Sequence, residues 1–159
     1  MAEAFLSLSP PERVEALGVA ATASGRPVHI LEKDVWVVWT LSTLFESAFG
    51  DHLVFKGGTS LSKAYGAIRR FSEDIDVTYD IRAFAPELVK NAGEEALPPS
   101  KSQGANWTKA IRRKLPAWIV ETVLPLVQAQ LEKSGLKATT TADEECLYIE
   151  YDTNTPGYG

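Results

Sequence analysis

The chain has 159 residues, a length that suits one domain with a sizeable core. Its 45% hydrophobic and 23% charged residues are ordinary for a globular protein, and no apolar run reaches the roughly 18–20 residues that cross a bilayer. A net charge of −5 argues against holding nucleic acid through overall charge, and one cysteine, Cys146, excludes an intrachain disulfide or a thiolate metal cluster.

The first residues, Met1-Ala2-Glu3-Ala4-Phe5, lack the basic start and long apolar stretch of a signal peptide, so a reducing, cytoplasmic setting is expected. Ser9-Pro10-Pro11-Glu12 starts a helix, with Ser9 at the cap and prolines in the first turn, and Ser24-Gly25-Arg26-Pro27 ends it. A second helix is predicted from about 31 to 48, where Val35, Val38, Trp39, Leu41 and Phe45 repeat at helical spacing before Gly50. A strand at 52–55, a Gly57-Gly58 turn, a helix over 59–69 and a strand at 73–79 follow. Gly93, Pro98, Pro99, Ser100, Ser102 and Gly104 mark residues 92–106 as a loop.

The next helical region spans about 106–134, bent or broken at Pro116 and Pro125 because proline lacks a donor and clashes with the preceding turn. Ile119, Val123, Leu126, Val127 and Leu131 form its apolar stripe. Residues 136–141 and 147–151 read as two strands of a hairpin around Ala142-Asp143-Glu144-Glu145. Trp36, Trp39, Trp107 and Trp118 read as core, and His29 and His52 as packing or surface residues.

The chemistry concentrates in residues 55–76. Asp74 and Asp76 are two apart with Ile75 and Val77 interleaved, so on a strand the carboxylates share one face while the apolar pair enters a core. Two carboxylates that close repel each other unless a cation or proton lies between them. Gly57 and Gly58, lacking Cβ atoms, allow close approach of a phosphate chain. Thr59 and Ser60 add hydroxyls and free amides at a helix start. A helix over 59–69 carries the chain away by about 16 Å, and an extended return to Asp76 recovers about 20 Å, so the two halves can meet. Together they point to metal-assisted chemistry on a nucleoside triphosphate. Lys63, one turn beyond Thr59 on the same helix face, either reaches a phosphate or is a surface lysine; Lys56 and Arg70 are weaker phosphate candidates. The segment is not a Walker A loop, since the Gly-Lys-Ser/Thr ending is missing, nor an EF-hand, since Thr78 and Tyr79 occupy positions that need a ligand and a glycine.

The run Leu53-Val54-Phe55-Lys56-Gly57-Gly58-Thr59-Ser60-Leu61-Ser62-Lys63-Ala64-Tyr65, followed by Arg70-Phe71-Ser72-Glu73-Asp74-Ile75-Asp76-Val77, resembles the signature of the AbiEii/AbiGii toxins among the polymerase-β-like nucleotidyltransferases. Residues 31–41 and the run from Trp107 to Trp118 also resemble that family. The resemblance implies an α/β (α+β) nucleotidyltransferase core, a small mixed sheet flanked by helices, as a single domain over 1–159 without the family's C-terminal half. It implies Mg²⁺ (or Mn²⁺) on Asp74 and Asp76, a serine beside them at Ser72, and transfer of a nucleotidyl group from an NTP to an acceptor such as a tRNA 3′ end. A toxin of this kind is expected to have a cognate antitoxin and no membrane association. Glu150, in the pattern Tyr148-Ile149-Glu150-Tyr151, is either a third metal carboxylate or a surface strand residue. The resemblance places the family's third acid and a partner lysine beyond Gly159.

Lys101, Lys109, Arg112, Arg113 and Lys114 occur with no acidic residue among them. This region is either a solvated helix face or the surface that meets RNA. Two other readings of the whole chain stand beside the toxin: a catalytically inactive NTP-binding or protein-interaction module, and an antibiotic-modifying nucleotidyltransferase.

Overall fold

A computed structural model of the chain describes residues 2–56 and 75–154. Three helices open it: α1 (Ala2–Leu6), α2 (Pro10–Ser24) and α3 (Val28–Phe45). Ser9 caps α2 as predicted and with Glu12 forms a capping box, the Ser9 amide donating to Glu12 Oε2 at 2.8 Å and its hydroxyl at 2.6 Å. These bonds, the hydroxyl's first, hold the Glu12 carboxyl below the usual carboxylate range. Gly25 ends α2 at φ 69°, its amide bonded to Ala21 O at 2.8 Å. α3 begins and ends three residues earlier than its apolar spacing predicts. Pro27, with φ −59°, sets its start. Its end is set by a tight return of the chain, since a Cβ on Gly50 would lie 2.0 Å from Phe45 O. Gly50 thus permits backbone crossing rather than merely marking a stop.

A 3₁₀ turn (Gly50–His52) leads into β1 (Leu53–Lys56), which pairs antiparallel with β2 (Asp76–Tyr79). Two single-turn helices follow, α4 (Ile81–Phe84) and α5 (Pro86–Val89). Asp80 caps α4, accepting from the Arg82 amide at 2.9 Å and from its guanidinium at 2.7 Å.

Helix α6 (Lys101–Trp118) starts inside the predicted loop. Ser100 at its cap accepts from the Gln103 amide at 3.3 Å, and Gly104 sits one turn in, where a Cβ would come within 3.3 Å of Pro98 Cγ. Ser102 and Gly104 are therefore helical, a small residue being fitted to the returning prolines rather than to a turn. Pro116 does not break α6 either. The helix continues to Trp118 and widens into a π-helical segment, Ile119–Val123, before α7 (Leu124–Lys133). Pro125 falls in the first turn of α7, where the missing donor costs least. The chain finishes in the predicted hairpin, β3 (Ala138–Asp143) and β4 (Cys146–Tyr151), with Glu144 at φ 48° in the turn. Both ladders are antiparallel, and no described strand links them.

The core joins Leu6, Trp36, Trp39, Phe49, Leu53, Val123, Val127 and Leu131. Each large apolar side chain so buried contributes about 1.5–3 kcal/mol. Trp36 lies edge-on to Trp39 at 5.8 Å and flat against Tyr151 at 4.7 Å, which fastens α3 to β4. One turn before Trp36 on the same helix, Glu32 is 2% exposed. Its carboxylate accepts from Thr153 Oγ1 at 3.0 Å, from the Asn154 amide at 2.9 Å and from Asn154 Nδ2 at 2.6 Å. A buried charge needs such donors. Among the described residues no helix is long and apolar enough to cross a membrane.

Candidate active site

Strand alternation sorts the β1–β2 ladder into two faces. Leu53, Val77 and Tyr79 pack on the core, as the sequence predicts for Val77, while Ile75 just ahead of the strand is half-buried. Asp76 is therefore turned outward, exposed, and sits directly opposite Lys56 in the register. Val54 and Thr78 form the next pair on that face, with Val54 also exposed. The arrangement places one carboxylate and one ammonium side by side where β1 ends, at the residue preceding Gly57.

What holds β2 in place is aromatic. Tyr79 lies flat on Trp118 at the end of α6, with ring centroids 5.0 Å apart and an interplanar angle of 13°. Phe49 and Phe84 meet Trp118 edge-on at 5.2 and 5.7 Å, and His52, an exposed residue, stands 6.1 Å from the Tyr79 ring. Offset and edge-to-face pairs of this kind add about 0.5–1.5 kcal/mol each beyond their buried area.

Gly57, Gly58, Thr59, Ser60, Lys63, Arg70, Ser72 and Asp74 lie outside the described residues. Of the predicted site, Lys56 and Asp76 are brought together. Glu150 stands apart from them in the strand pairing: it is exposed on the outward side of β4, opposite Thr139, in the other ladder. A hard divalent cation prefers oxygen ligands, and the open Asp76 carboxylate suits one. Among the described residues no group of three His, Cys, Asp or Glu side chains could hold a metal.

The five basic residues of the 101–114 region do not act alike. Lys101, Lys109, Arg112 and Arg113 are exposed. Lys114 instead donates to Phe84 O at 2.6 Å and lies 3.5 Å from Glu87 Oε1. Trp107, within the region, is buried. The sequence reading missed Glu32, although its i, i+4 spacing to Trp36 on a strongly apolar helix was a usable signal of burial.

The family described as "Nucleotidyl transferase AbiEii toxin, Type IV TA system" matches residues 39–159. The chain belongs to this family. The match spans both ladders, α6 and α7, and it includes the segment carrying Asp74 and Asp76. An AbiEii toxin is the nucleotidyltransferase member of a toxin–antitoxin pair, so an antitoxin partner and a nucleotide substrate come with the family, and the α/β nucleotidyltransferase-like fold agrees with it. Neither the curated proteins nor the solved structures hold a match to the chain.

Proposed function

We propose that this AbiEii-family chain transfers a nucleotidyl group from an NTP to an RNA acceptor, the 3′ end of a tRNA being the first candidate. An acceptor hydroxyl oxygen bonds to the α-phosphorus, the bond from that phosphorus to the bridging oxygen breaks, and pyrophosphate leaves; the hydroxyl proton passes to solvent. The observation that carries the reading is the outward Asp76 beside Lys56 at the strand end leading into Gly57-Gly58.

Asp76, with Asp74 two residues earlier, would hold a divalent ion such as Mg²⁺ or Mn²⁺. When bound, such an ion offsets charge on the phosphates and on the attacking and leaving oxygens. Lys56 attracts the triphosphate and Gly57 and Gly58 let it approach, positioning being most of what the protein must supply for this reaction. Ser72, Lys63, Thr59, Ser60 and Arg70 complete the proposed surround, and Glu150 remains a proposed additional carboxylate.

The test incubates the full chain with Mg²⁺, each labelled NTP in turn and total tRNA, alongside Asp76→Ala. Label passed to tRNA by the wild type and abolished in the variant supports the reading. NTP binding without transfer makes the chain a binding module, and, in a parallel incubation with an aminoglycoside in place of tRNA, label on the aminoglycoside and none on RNA makes it an antibiotic-modifying enzyme; either overturns it.

A further inference from the structure

Between residues 96 and 120 the chain contains no aspartate or glutamate, and α6 occupies the middle of that stretch. At about 100° per residue, Lys101, Lys109, Arg112 and Arg113 fall within about 120° of one another around the helix and span about 18 Å along it. Trp107 is buried and Trp118 is packed on the core, so the apolar side of α6 faces inward and the four cations face out. None of the four has an ion pair among the described residues. The helix offers no acid at i±3 or i±4 to neutralise them. Lys114 points the other way, its ammonium 5.2 Å from the Phe84 ring centroid, and belongs to the packing.

The four exposed cations form a local positive strip on a chain of net charge −5, and a strip of one sign is the complement of a polyanion. We infer that this face of α6 is where an RNA backbone lies, held by Lys101, Lys109, Arg112 and Arg113 through phosphate contacts alone. The inference rests on the proposed function for RNA rather than DNA, and adds the surface and the mode of recognition. A strand carrying one charge per nucleotide presents several phosphates over such a length. A protein partner fits less well, because no large hydrophobic side chain between 101 and 118 is exposed to form the apolar centre of an interface. With Trp107 buried, the strip has no aromatic platform for bases, so it positions RNA without reading its sequence.

The test titrates the full chain into fluorescein-labelled tRNA and, separately, polyuridylate of similar length, by anisotropy from 50 to 200 mM KCl. Four phosphate contacts give a slope of log affinity against log salt near −3 for both RNAs, at about 0.7–0.9 per contact. The variant Lys109→Gln/Arg112→Gln/Arg113→Gln lowers that slope to about −1 and weakens binding at least about tenfold, while Lys133→Gln on α7 changes neither. Thermal melts of the triple variant match the wild type, because the three side chains are exposed, so lost binding is not lost folding.

Unchanged affinity and slope in the triple variant overturn the inference. So does marked preference for one base sequence, or binding of polyglutamate in place of RNA. The reaction is judged separately: Asp76→Ala abolishes transfer yet leaves RNA binding intact. A wild type that binds RNA through α6 and transfers nothing removes the proposed reaction and keeps this surface.

Discussion

Tyr79 of β2 and Trp118 of α6 lie face to face, 5.0 Å apart and 13° from parallel, so the strand that carries Asp76 is fastened to the helix that carries the basic strip. Trp118→Ala removes this stack together with two edge contacts from Phe49 and Phe84. The expected loss is about 3 kcal/mol of folding stability, and Trp118→Phe should lose less than half as much. Urea unfolding of the three proteins measures it. A full-size effect from the phenylalanine variant would mean that the indole's shape, not the aromatic stack, is what counts.

Gly50 and Gly18 should respond oppositely to alanine. At Gly50 the added Cβ would stand 2.0 Å from the Phe45 carbonyl oxygen, backbone that cannot yield cheaply, while at Gly18 inside α2 nothing lies within 4 Å. Gly50→Ala is expected to destabilise by about 2 kcal/mol or more. Gly18→Ala should stabilise by about 0.5–1 kcal/mol through restriction of the unfolded chain and better helix propensity. Paired thermal melts decide the signs.

Glu32→Ala deletes a buried acceptor and with it the bonds from the Thr153 hydroxyl and from both Asn154 donors. The expected cost is about 1–3 kcal/mol, from the lost bonds to a charged acceptor, since Thr153 is exposed and Asn154 half-buried. Glu32→Gln, which keeps one acceptor oxygen, should recover part of it. Amide exchange at Asn154 gives a local reading: its amide is expected to exchange much faster in the alanine variant and moderately faster in the glutamine one.

Asp80 supplies the acid-range pH dependence. The Arg82 side chain and then its amide bond the carboxylate, lowering the Asp80 pKa to about 2. A carboxyl depressed in the fold contributes stability that is fully present above its unfolded value near 3.8 and is lost as pH falls toward 2. The stability gap between wild type and Asp80→Asn should therefore be constant above about pH 5 and close between about pH 4 and 2. Denaturation midpoints across that range test it, and a gap that widens on acidification would contradict the sign.

Local chemistry was legible where it decided structure on its own. Ser9 as a helix cap, Gly25 as its end, the alternation that turns Val77 toward the core, and a hairpin near Ala142 to Glu145, though both strands run closer to the turn, all followed from spacing and turn residues. Positions decided by distant neighbours were not. Gly104 reads as a loop residue until Pro98 is seen packed against it, and Pro116 reads as a break until the widened turn after it is visible. Glu32 looks like a surface glutamate because its partners are more than a hundred residues away. The same reason divides the candidate site: the face of Asp76 was set by its own neighbours, whereas the surroundings of Glu150 depended on which strands pair.

The π-helical segment between Pro116 and Pro125 sets the aim of everything after it. A bond reaching five residues instead of four takes up one more amino acid per turn than an α-helix would. Excising a single residue from 119–123 would tidy the geometry yet swing Val127 and Leu131 by about 100°, out of the interior they now fill. The outward electrostatics of α6 and the inward grease of α7 are thus phased by one surplus position, and a chain shortened there would have to choose between them.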